Sequence, residues 1–242
     1  MSDTALLPQD SASGFRVFNL RDAPVAADSG DGFLGMLLGV SHHPGWNFWR
    51  SSGLEGEGRH LSGANHLVVI LLEGTLILTC EGEETRLAAG DVALIGPGQI
   101  FDWKAGDQAL WIVNARMVGS SQGTAQGITV VDRAAGQEPS ASPPADLLVG
   151  DVPVCTKLTL AASDAAGWSA GLWSATPYER VPVRYGYYEL MQIHEGTVSV
   201  FDKAGRELSF GPGSVFLMPE GAAAGWRSTT PVRKFWSIFT PD

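Results

Sequence analysis

Apolar residues in this chain come in runs of four to six, with glycine or proline standing between them. Residues 67–72 read Leu-Val-Val-Ile-Leu-Leu, Gly74 turns the chain, and residues 76–80 return as Leu-Ile-Leu-Thr-Cys. A polar turn at 81–84 leads into 85–87, Ala89-Gly90-Asp91 turns again before 92–95, and 109–113 closes the series. Runs this short, punctuated this way, predict antiparallel strands and not helices. The stretch 67–72 is apolar at odd and even positions alike, so both its faces need cover: one fills a core, the other meets a second layer. The second half follows the same plan at 187–194, 198–201, 207–210, 215–218 and 234–239. No amphipathic helix longer than three turns is predicted in either half.

The two halves repeat one another. Glu73-Gly74-Thr75 recurs 122 residues later as Glu195-Gly196-Thr197, in a chain of 242. An offset of 123 carries Gly90, Gly98 and Trp103 onto Gly213, Gly221 and Trp226. The eight tryptophans pair as Trp46/Trp168, Trp49/Trp173, Trp103/Trp226 and Trp111/Trp236. A repeat this long is a whole domain, so two similar all-β domains are predicted in tandem, at 14–130 and 149–242. Residues 131–148 between them, with Pro139, Pro143, Pro144 and small polar residues, read as a linker. Residues 1–13 read as a loose polar tail.

Composition narrows the partners. With 16 Lys and Arg against 26 Asp and Glu, the formal net charge is -10. A nucleic-acid binder needs a basic surface to displace counterions, and anionic membranes select basic surfaces as well, so neither partner is expected. The amino-terminal residues lack the basic and apolar regions of a secretory signal. The two cysteines, Cys80 and Cys155, sit at non-equivalent places in the repeat and read as reduced structural thiols of a cytoplasmic protein.

Two spacings in the second half extend the pattern of glycines and turns. Glu189 is followed after six residues by Gly196, and Gly213 after five by Pro219-Glu220-Gly221. These spacings resemble the cupin superfamily of RmlC-like jelly-roll barrels, and with Trp226 and the run Val232-Arg233-Lys234-Phe235 the turns look like its ureidoglycine aminohydrolase subfamily. The first half keeps Gly74, Gly90-Asp91 and Gly98, with Gly96 where proline is expected. The resemblance implies a bicupin, pairing as a homodimer. It also implies a metal held by three histidines and a glutamate inside a barrel. This sequence departs from that ligand set. In the second half only Glu189 stands in place. The two earlier histidine positions fall on Val183 and Tyr185, or on Pro182 and Arg184, and the later one on Ala224. In the first half Leu67 replaces the glutamate and Phe101 the later histidine; His60 aligns with the first histidine and Ser62 with the second. One customary ligand per barrel does not hold a divalent ion, so no metal or other cofactor is expected. His66 and His194 lie at odd spacing from the barrel-facing positions and point away. His42 and His43 read as loop decoration, and His60 as a hydrogen-bonded rim residue.

Glu189 is the residue to watch, because a carboxylate among apolar neighbours needs a partner. Arg184 and Tyr185 lie just upstream, and Tyr187 and Met191 share the face of Glu189 by period two. Two readings stand side by side. In one, Arg184, Tyr185, Tyr187, Glu189 and Met191 grip a small polar molecule, with Glu189 as acceptor or general base. In the other, Glu189 is a vestige satisfied by Arg184 at the barrel mouth, and the protein is a structural module. A metal-dependent aminohydrolase is the third possibility, and the tryptophans read as packing, not as a platform.

Overall fold

The computed structural model describes residues 14–41, 43–51, 55–117 and 127–241. The fold is all-β, as expected; among the described residues, helix is confined to two short 3-10 turns, Ala145–Leu147 and Asp164–Ala166. The tail at 1–13 and His42 lie outside the described residues. The chain divides into two compact units. The N-terminal unit takes residues 24–135 and 159–170, and the C-terminal unit takes 14–23, 136–158 and 171–240.

In the N-terminal unit a seven-stranded sheet centres on Asn65–Glu73, flanked by Val92–Ile95 and Leu110–Met117. A four-stranded sheet runs Gly56–Leu61, Ile100–Ala105, Thr75–Cys80, Glu83–Ala88. Alternate residues of both sheets meet in one core: Leu67, Val69 and Leu71 from the first, Leu76, Phe101 and Trp103 from the second. The hairpin of the smaller sheet turns on Glu81 and Gly82, both at positive φ, as a two-residue connection between twisted strands requires.

The C-terminal unit repeats the plan. Tyr188–Glu195 lies between Val215–Met218 and Val232–Phe239 in a seven-stranded sheet. The facing sheet has five strands, including Tyr178–Arg184, Ala223–Ser228 and Val198–Phe201. Gly196 ends the central strand at φ 77°, and a side chain there would run into the Pro231 carbonyl. Its counterpart Gly74 has φ 75° and sits against Ala109. This close backbone approach explains why both copies keep glycine at the turn.

Two segments differ from the sequence-based division. Phe18–Asn19, from the start of the chain, pairs with Val215–Met218 and so completes the C-terminal unit. Residues 136–148, read as linker, are structured: Glu138–Ser140 pairs with Cys155–Ser163, and Leu148–Val149 pairs with Tyr178–Arg184. The alternation in 136–148 is too short to show as a strand pattern, yet edge strands need only a few backbone bonds.

Candidate functional site

The two central strands of the C-terminal unit present one face to its interior. On Tyr188–Glu195 that face carries Glu189, Met191 and Ile193; directly opposite on Val232–Phe239 stand Ile238, Trp236 and Lys234. The Lys234 side chain runs back along the sheet over Met191 to reach the carboxylate. Its Nζ donates to Glu189 Oε1 at 2.8 Å and lies 3.0 Å from Met191 Sδ. The same Nζ sits 5.0 Å from the ring centres of both Trp173 and Trp226. Fewer than a tenth of either side chain of the pair is exposed.

A cavity of about 510 Å³ opens beside this pair, within the range of small-ligand sites. Glu189, Lys234 and Trp236 form its floor, Trp173, Tyr178 and Trp226 one wall, and Arg180, Tyr185 and Tyr187 another. Residues 140–144 close a further side. Tyr178 stacks on Trp226 at 6.4 Å and 22°, with Trp173 edge-on to Trp226 at 6.3 Å. Lys157 places its Nζ 4.2 Å over the Trp236 ring. Arg180 donates from a terminal nitrogen to Tyr185 Oη at 3.0 Å. Burial pushes the hydroxyls of Tyr178 and Tyr185 above their ordinary pKa. The negative charge of Glu189, with burial second, does the same for Tyr187. These tyrosines therefore stay protonated and able to donate throughout the neutral range.

A bulge explains how Arg180 comes to face inward. Tyr178–Arg184 pairs with Ala223–Ser228 with a register shift between Arg180 and Val183. Pro182 lies inside the shift and has no N–H for the ladder. The extra residue flips the alternation, so Tyr178 and Arg180 share the interior with Val183 and Tyr185.

The residues expected at the site divide accordingly. Glu189, Tyr185 and Tyr187 line the cavity. Met191 does not line it; it is fully buried beneath the ion pair. Arg184 is exposed and faces a separate recess with Pro182, Asp202 and Lys203. The partner of Glu189 is Lys234, not Arg184, because Arg184 alternates with inward-facing Val183 and Tyr185 and so points outward. Three tryptophans read as packing also form the cavity floor and wall. Lys234 is separated from Glu189 by 45 positions, and only the strand register brings them together. The Trp111/Trp236 pairing shifts by two residues: Trp111 stands opposite Leu71, so its counterpart is Lys234, opposite Ile193.

The customary metal set does not fit here. The one carboxylate that could ligate already accepts from an ammonium group, and inward-facing Val183, Tyr185 and Ala224 supply no imidazole. Among the described residues, no group of three or more His, Cys, Asp or Glu side chains is arranged to hold an ion. In the N-terminal unit, His60 Nδ1 pairs with Asp31 Oδ2 at 2.9 Å, as a hydrogen-bonded residue against Phe33 and Phe101. His66 faces away from that core and stacks on Trp168 at 4.6 Å. His194 contacts Gln192 Oε1 at 3.2 Å and His43 accepts from the Gly45 amide. Both cysteines are free, and burial, the larger cause at each, raises their thiol pKa, so neither is a ready nucleophile. Among the described residues no helix is long and apolar enough to cross a membrane.

Comparison with known proteins agrees with the architecture. The EutQ-like cupin domain profile matches residues 162–236. The match over 162–236 and the all-β fold support a cupin superfamily member. It is similar to a crystal structure from Pseudomonas syringae pv. tomato, a protein of unknown function in the DUF861 family. The two share 26% identity and a TM-score of 0.74, over 89% of this chain and 91% of that one. A cupin 2 conserved barrel domain protein from Leptotrichia buccalis superposes with a TM-score of 0.63 at 9% identity, over 93% and 96% of the two chains. Protein Ylba from E. coli, also DUF861, gives 0.55 at 9% identity, over 92% and 89%. No curated protein sequence matches the chain.

Proposed function

We propose that this protein is a bicupin that binds a small polar molecule in its C-terminal barrel without a resident metal. The observation that carries this reading is the buried Glu189–Lys234 pair facing an aromatic cavity. A buried ion pair adds little stability over an apolar pair of similar size. A molecule that needed only a packed core had no reason to keep it, whereas a ligand site has: the pair offers an acceptor oxygen and ammonium hydrogens at fixed positions. Glu189 and Lys234 orient the ligand, and the tyrosine hydroxyls add donors around it.

A thermal-shift screen of ureido compounds, amino acids and small carboxylates tests the reading. At least one class should raise the melting temperature, and Glu189→Gln should abolish the shift. A shift that survives Glu189→Gln would remove the carboxylate from the site. The metal-dependent aminohydrolase implied by the subfamily turns is tested in the same preparation. Elemental analysis should find well under one metal per chain; manganese, zinc or iron near unity would overturn the metal-free reading.

A further inference from the structure

Arg180 carries more information than the ion pair. It is only partly exposed, lines the cavity, and makes no salt bridge among the described residues. Among the described residues its guanidinium donates to the neutral Tyr185 hydroxyl, and its Nε, buried, has no hydrogen-bond acceptor. A guanidinium taken partly out of water without a counter-ion is costly. Glu189, the carboxylate of the cavity lining, is already held by Lys234. The lining therefore holds three cationic side chains, Lys157, Arg180 and Lys234, against one carboxylate, in a chain whose formal net charge is -10. Such a local surplus selects anions.

The aromatic surfaces decide the rest of the ligand. Tryptophans and tyrosines around a cavity suit either a flat apolar body or a quaternary ammonium. The second option is already taken. Lys234 Nζ sits 5.0 Å from Trp173 and from Trp226, so the protein supplies its own cation to those rings. A ligand cation would have to displace it and face Arg180 besides.

We infer that the ligand is a small organic carboxylate with a planar apolar body, its carboxylate serving as the counter-ion of Arg180 and its flat face lying against the tryptophans. This rests on the proposed binding role and names the class of molecule bound. Arg180 accepts the carboxylate in charge-assisted hydrogen bonds from its terminal nitrogens. Lys157, exposed and held over Trp236, adds positive charge at the wall of the site.

Calorimetry on the full chain with a matched series tests this. Benzoate and nicotinate are the anions, benzamide the neutral analogue, benzylamine the cation, and acetate the anion without a ring. Benzoate or nicotinate should bind at least tenfold more tightly than benzamide and than acetate, and benzylamine should not bind. Arg180→Met should lower the aromatic carboxylate's affinity tenfold or more while leaving benzamide unchanged. Arg180→Lys keeps the charge, guards against a folding defect, and should lose less. Equal affinity for benzoate and benzamide, or binding of benzylamine, overturns the carboxylate assignment. So does failure of both aromatic carboxylates while some other screened compound still binds in a Glu189-dependent way, an outcome that leaves the binding role standing. Failure of every compound in both experiments removes the binding role itself.

Discussion

The interiors of the two units differ at a few equivalent positions, and those positions separate an interior packed with aromatic rings from one with a charged pair beside a cavity. Where the N-terminal unit has Leu67 and Trp111, the C-terminal unit has Glu189 and Lys234. Where the first has Phe101, the second has Ala224. In the N-terminal unit, Phe33 meets Phe101 at 5.1 Å and Trp111 at 6.0 Å, and Trp103 meets Trp111 at 5.9 Å. Rings in contact leave that interior to packing. The indole N–H of Trp111 is satisfied within it, donating to the Phe33 carbonyl at 2.9 Å. In the C-terminal unit a charged pair replaces a leucine and an indole and lines a cavity, and a ring shrinks to a methyl in the core beside it. One backbone plan thus supports both outcomes, and the choice rests on side chains alone.

The sharpest way to break this contrast is to remove one charge. Lys234→Leu leaves Glu189 buried without its partner and should destabilise the protein by about 3–5 kcal/mol, as orphaned buried charges do. Glu189→Leu combined with Lys234→Leu should recover most of that loss, since the interior then resembles the apolar one. Urea denaturation of the three proteins checks both statements, and a double variant as weak as the single would show that the pair itself holds the barrel together. A smaller effect comes from filling the space. Ala224→Phe restores the ring found at Phe101 and should cost about 1–3 kcal/mol through crowding against Trp226 and Tyr185. It should also reduce ligand affinity at least tenfold in the calorimetry above. Unchanged affinity would mean that a ring at 224 does not reach the bound ligand.

Much of the fold was legible because its causes are local. The glycine turns at Gly74 and Gly196 answer to positive φ and a neighbouring backbone, and both constraints recur in each copy. Strand faces follow from period two, so Glu189 declared itself as a polar residue on an apolar face. The site was less legible because its causes are not local. Lys234 belongs to it only through the register of two strands. Arg180 belongs to it only because a bulge around Pro182 reverses the alternation, and strict period two from Tyr185 points Arg180 outward. The wall at 140–144 looked like linker because proline and serine suit an edge segment as well as a loop. Arg184 was credited with the role of Lys234 because adjacency in sequence was visible, and the register that brings Lys234 to Glu189 was not.

The two units should also part company with pH, a subtler effect than any substitution above. In the N-terminal unit His66 is 1% exposed, and neither ring nitrogen has a hydrogen-bond partner. Burial lowers its pKa below the ordinary 6.5. The unfolded chain therefore takes up a proton before the folded one does. The stabilisation is present above pH 6.5 and is lost as pH falls through the folded-state value. In the C-terminal unit the sign reverses. Burial of Tyr178, and the charge of Glu189 with burial at Tyr187, hold those hydroxyls protonated beyond the ordinary 10.0. The unfolded chain loses those protons first, so stability is full below pH 10 and falls as pH rises above it. His66→Phe, which keeps a flat ring against Trp168, should flatten the acid limb of a stability profile between pH 7 and 5 and leave the alkaline limb untouched. Tyr178→Phe should do the converse. Equilibrium denaturation across pH reads both, and an acid limb unchanged in His66→Phe would assign that loss of stability to other groups.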